Sequence, residues 1–102
     1  QLLALAGRLV LDVGRTLEVI EQSSGQSWIG SDRMRRAIAG DYAPRAHLTL
    51  LEKDTRLAVE AACAAGFEGP LGRRASEVFV EAHQAGLAGL DDAVIFRYLA
   101  AL

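Results

Sequence analysis

The chain has 102 residues, 51% of them hydrophobic, with thirteen acids against eleven bases for a net charge of −2. That length carries one small domain whose unfolded surface is roughly two-thirds buried on folding, and the faintly acidic balance gives no field to draw it onto nucleic acid or anionic lipid. No apolar run approaches the roughly 18 residues that span a bilayer, the opening Gln1 to Ala6 lacks the basic start of a secretory signal, and Cys63 is the only cysteine, so no disulfide framework exists and a reducing, cytoplasmic setting is expected.

Nowhere do apolar and polar residues alternate with β-branched enrichment, so the reading is all-α, a single domain over residues 1–102 built as a five- or six-helix bundle. Leu2 to Val10 reads as a short helix or the tail of a longer one, and the absence of an initial Met suggests a piece of something longer. Asp12 is placed to cap a helix from Val13 to Gln22, with Val13, Leu17 and Ile20 on one side. Ser23-Ser24-Gly25 closes that helix. The segment Ser23 to Trp28 then crowds hydroxyls, a glycine and the only tryptophan together. Amides at the start of the following helix, supported by those hydroxyls, could hold a carboxylate or phosphate oxygen; the plainer alternative is a capped turn with Trp28 as a core anchor. Gln26 to Ile29 can start another helix, Ser31 or Asp32 can cap a run to Ala39, and Gly40 follows as its stop, with a loop to Pro44.

The run from His47 to Ala65 is the longest helix expected, ended by Gly66. At 100° per residue, Asp54 falls in an arc with Leu50, Leu51, Leu57, Ala58, Ala61 and Ala65, while Glu52, Arg56 and Glu60 take the opposite side. An unpaired charge on a buried apolar face costs several kcal/mol, so Asp54 needs a partner, a wet cleft or a ligand. Lys53 lies at the seam and could donate to an anionic or hydroxyl-bearing ligand. A structural capping carboxylate and a snorkelling lysine are the alternatives. Cys63, among alanines, reads as a small buried hydrophobe.

Pro70 suits the first turn of a helix to about Ala85, Gly86 and Gly89 bracket a turn, and Leu90 or Asp91 starts the last helix with Val94, Ile95, Tyr98 and Leu99 on one stripe. His47 and His83 have no ligands at metal spacing, so no metal is expected. Arg33-Met34-Arg35-Arg36 and Arg73-Arg74 read as solvated helix faces.

Ser24-Gly25-Gln26-Ser27-Trp28, Ala39-Gly40-Asp41-Tyr42-Ala43-Pro44 and Lys53-Asp54 with Leu57-Ala58 behind it, in that order and spacing, resemble the C-terminal helical domain of the β-hydroxyacid dehydrogenases, the family of 3-hydroxyisobutyrate and 6-phosphogluconate dehydrogenases. The tail, Ala85-Gly86-Leu87 and then Leu90-Asp91-Asp92-Ala93-Val94-Ile95, is similar to the family's closing segment, and the nearest branch is the sugar-acid, threonate-type enzymes. The resemblance implies an N-terminal Rossmann domain that binds NAD or NADP, with this domain completing the active site and forming the subunit interface of a dimer or tetramer. It places Lys53 on the cofactor and Asp54 beside it in the cleft, with Ser24, Gly25 and Ser27 as weaker cleft-lining candidates. Ala46 stands where many members carry an aromatic residue near a small hydroxy-acid substrate. The family's catalytic lysine has no match, because Lys53 is the only lysine, and neither has the dinucleotide fingerprint. The chain alone is therefore expected to be inactive. The alternative is a helical dimerisation module unrelated to redox chemistry.

Overall fold

The computed structural model describes residues 1–102 and contains six α-helices and no strand. They are α1 (Leu2–Arg8), α2 (Val13–Glu21), α3 (Trp28–Ile38), α4 (Leu48–Ala64), α5 (Pro70–Ala82) and α6 (Ile95–Ala101), with a π-type turn at His83–Leu87 and a 3-10 turn at Asp92–Val94. The all-α expectation holds. The chain gathers into two compact units, one formed by residues 1–43 and 93–102 and the other by residues 44–92.

In the first unit α1 packs on α2 and α6, and α3 on α2 and α6. Its core is Leu3, Ala4, Ala6, Leu17, Ala37, Ala93 and Val94. Asp12 caps α2 as the sequence predicts, its Oδ1 accepting from the Arg15 amide at 2.7 Å. The start of α3 differs from expectation. Ser27, rather than Ser31 or Asp32, is the cap: its Oγ accepts from the Gly30 amide at 3.0 Å, and one unbroken helix follows from Trp28. Asp32 instead takes Arg33 and Arg36 at 2.6 and 3.2 Å, and Glu21 takes Arg35 at 2.7 Å, so the basic run is paired with carboxylates rather than simply solvated. Trp28 is no core anchor; it is 75% exposed.

Helices α1, α3 and α4 end in the same way, with one residue in the left-handed region and a chain-reversing pair of amide bonds. For α3 the residue is Gly40 (φ 72°) and for α4 it is Gly66 (φ 73°), both read from the sequence. For α1 it is Val10 (φ 59°), with Val10 N on Gly7 O and Leu11 N on Ala6 O.

The second unit is the α4–α5 hairpin and its flanking turns. Leu48, Ala82, Asp91 and Asp92 are its buried residues. Here the sequence reading is corrected in phase. The inward stripe of α4 is Leu48, Glu52, Thr55, Val59 and Ala62, and the arc holding Asp54 faces out except at Leu51, which is half-buried, with Leu50 and Leu57 45% and 47% exposed. Helix α5 packs against α4, and Thr55, Val59 and Ala62 line the concavity between them. Glu52, expected in solvent, is largely covered and receives the His83 ring at 2.6 Å. Cys63 is exposed rather than buried. No helix is long and apolar enough to cross a membrane.

Candidate functional site

Lys53 and Asp54 sit in the middle of α4, their side chains 53% and 58% exposed and joined at 3.2 Å from Nζ to Oδ1. The premise that Asp54 is a buried charge is therefore overturned within this chain. Adjacent helical residues do not face one another, and an exposed ion pair contributes only about 0–1 kcal/mol, so this pair is not what holds α4 in place. Its environment is nevertheless unusual: a cation with donors to spare stands beside an anion on a helix face whose other outward residues include Leu50, Leu57, Ala58 and Ala61.

That donor set suits one wall of a dinucleotide site. An ammonium can donate to a pyrophosphate or ribose oxygen, and the flanking aliphatic side chains suit the face of a flat ring. The structure holds no glycine-rich loop between a strand and a helix.

The Ser24, Gly25 and Ser27 loop lies in the other unit. Gly25 and Ser27 line a groove of about 200 Å³ with Leu17, Ile20 and Met34, while Ser24 is exposed and does not line it. The Ser27 hydroxyl is occupied as the α3 cap. A concavity of about 440 Å³ runs between α4 and α5 and is lined by Val59, Ala62, Cys63, Phe67, Leu71 and Arg73 among others, but by neither Lys53 nor Asp54. Arg73 lies 3.8 Å from the Cys63 sulfur there.

What sequence reasoning missed is Asp91. It is fully buried, and its Oδ1 accepts from the Arg45 amide at 2.9 Å, with the Ala46 amide at 3.5 Å. The only local signal was two adjacent acids, Asp91-Asp92, in an otherwise apolar closing segment. Arg97 lies over the Tyr42 ring at 5.2 Å, and Tyr42 donates to Ala37 O at 3.3 Å. Desolvation raises the Tyr42 phenol above its usual value, partly offset by the Arg97 charge.

The fold and this donor set define an all-helical domain that presents a charged pair on an uncovered apolar helix face. The chain belongs to the family described as the NAD-binding domain of NADP-dependent 3-hydroxyisobutyrate dehydrogenase, which matches residues 1–99. It is 32% identical over 95 residues to the L-threonate dehydrogenase of Escherichia coli K12 and 30% identical over 95 residues to that of Pectobacterium atrosepticum, covering 93% of this chain in each case. Among solved structures it matches a 3-hydroxyisobutyrate dehydrogenase from Salmonella typhimurium with a TM-score of 0.90, at 31% identity over 94% of this chain and 34% of that one. A second match is the 3-hydroxyisobutyrate dehydrogenase of Mycobacterium tuberculosis with L-serine, TM-score 0.76 at 26% identity over 95% of this chain and 37% of that one. The chain spans about a third of the length of the curated relatives it matches, 32% of the Escherichia coli enzyme.

Proposed function

We propose that this chain is the C-terminal, active-site-completing and oligomerising domain of an NAD(P)-dependent dehydrogenase acting on a small 3-hydroxy or sugar acid in the cytoplasm. One observation carries the reading: the chain matches, with a TM-score of 0.90, about a third of a hydroxyacid dehydrogenase, while its own Lys53 stands exposed on an uncovered apolar arc. The L-threonate dehydrogenase relatives favour a sugar acid and weigh against a dimerisation module unrelated to redox chemistry.

The bound nicotinamide supplies the hydride chemistry, and the protein supplies orientation and charge. Lys53 donates to an oxygen of the dinucleotide; Asp54, 3.2 Å from its Nζ, limits where the ammonium can go. Leu50 and Leu57 exclude water from the same surface once it is covered. Ala46, at the loop before α4, leaves room beside the substrate. The apolar groove between α4 and α5 supplies area for self-association.

The test joins this chain to the N-terminal two-thirds of Escherichia coli L-threonate dehydrogenase in place of that enzyme's own helical third. The hybrid is expected to reduce NAD with threonate or a related acid, and the isolated chain is expected to turn over none of a panel of hydroxy acids. Lys53→Met in the hybrid removes one charge-assisted hydrogen bond, about 1.5–3 kcal/mol, and should raise the cofactor KM about 10- to 100-fold. A cofactor KM unmoved by Lys53→Met refutes the assignment of Lys53, and turnover by the isolated chain refutes the division of labour.

A further inference from the structure

We propose that Asp91 is the positioning residue of the Lys53-bearing helix; this rests on the reading of Lys53 given above. Helix α4 starts without a capping side chain. His47 occupies the cap position and makes no side-chain bond to the first turn, although the opening amides of any helix need acceptors from elsewhere. For the first of them the acceptor comes from the far end of the same unit, while the third, Leu50 N, is taken by His47 O at 2.9 Å; the segment that leads into the helix is tied to the same far end. Leu48 N donates to Leu90 O at 2.9 Å, and Asp92 N donates to Ala46 O at 2.8 Å. Between them the Asp91 Oδ1 accepts from Arg45 N at 2.9 Å and lies 3.5 Å from Ala46 N. His47 and Asp91 pair as an isolated antiparallel bridge.

Asp91 is 0% exposed, as is Leu48. Its oxygen therefore takes the place water would otherwise have on the Arg45 amide, and the segment cannot slide without losing that acceptor. Lys53 lies five residues beyond Leu48, about 7.5 Å along the helix axis. The continuous hydrogen-bond ladder of α4 transmits any displacement of the helix start to Lys53. Asp91 touches neither cofactor nor substrate in this account; it fixes the place from which Lys53 reaches.

The experiment uses the full-length enzyme that carries this domain, with Asp91→Asn, Lys53→Met and the double variant Asp91→Asn/Lys53→Met. Cofactor KM, kcat at saturating cofactor and amide hydrogen exchange are measured for each. Asp91→Asn retains an acceptor oxygen and the side-chain shape. It is expected to raise the cofactor KM several-fold with kcat little changed, to speed exchange at Arg45, Ala46 and Leu48 selectively, and to add nothing to the cofactor KM of Lys53→Met. Effects of the two substitutions that multiply in the double variant overturn the proposal, as does faster exchange at 45–48 with an unchanged KM. Faster exchange across the whole chain also overturns it, by making Asp91 a general stabilising residue. A wild-type cofactor KM in Lys53→Met alone is a different outcome, because it removes the reading of Lys53 itself and the proposal with it.

Discussion

Replacing Val10 with glycine is expected to stabilise the chain. Val10 holds φ at 59°, a region that costs a residue other than glycine about 1–2 kcal/mol, with β-branched side chains the least tolerant. Its side chain is 93% exposed, so removal gives up almost no burial. The two bonds that turn the chain, Val10 N to Gly7 O at 3.1 Å and Leu11 N to Ala6 O at 3.0 Å, involve only backbone and survive the change. Against the relieved strain stands the larger conformational entropy of glycine in the unfolded chain, about 0.4–1 kcal/mol. The net gain is about 0.5–1 kcal/mol, and in a domain of this size 1 kcal/mol moves Tm by about 4–8 °C. Urea and thermal unfolding followed by far-ultraviolet circular dichroism measure it, with Val10→Ala as the control that retains a Cβ in the left-handed region. If Val10→Gly is no more stable than Val10→Ala, backbone strain is not what distinguishes this position.

Three further substitutions probe local features, beginning with the cap of α3. Ser27→Ala should cost about 1 kcal/mol. A Cβ added at Gly30 would lie 2.6 Å from the Ser27 Oγ, so Gly30→Ala should be unfavourable with Ser27 present and favourable in the Ser27→Ala background; equal effects in both backgrounds would show that the hydroxyl is not in the way. Hydrogen bonds from Arg33 and Arg36 hold the Asp32 carboxyl below its ordinary range. A folded-state pKa below the unfolded one gives stability that is complete above the unfolded value and disappears as pH falls through the folded one. Asp32→Asn should therefore be less stable than the parent at neutral pH and converge with it in acid, and a gap that is constant with pH in urea titrations would rule this out.

The features legible in the sequence were those decided within a few residues of themselves. Asp12 three residues before the Arg15 amide, Pro70 in a first turn, and Gly40 and Gly66 at helix ends each follow from local sterics and hydrogen bonding. The phase of α4 was not legible, because the helix carries apolar residues on both sides and which side is covered is decided by the packing of α5, which lies far along the chain. Leu50 and Leu57 were left outward, and Asp54 went with them. Asp91 was illegible for another reason: its backbone partners at Arg45 and Ala46 lie 46 and 45 residues away. In the sequence, Lys53 and Asp54 stand out as charges at an arc that reads as inner; in the structure, they stand out because the apolar face around them is outside.

Trp28 stands alone in the sequence and is three-quarters open to solvent, 75% by area. Its indole in the isolated chain should fluoresce at the long wavelengths of a hydrated ring, and whatever settles over the start of α3 would move that emission toward the blue. The chain thus carries a built-in optical gauge of partner docking at that helix end, readable without any label.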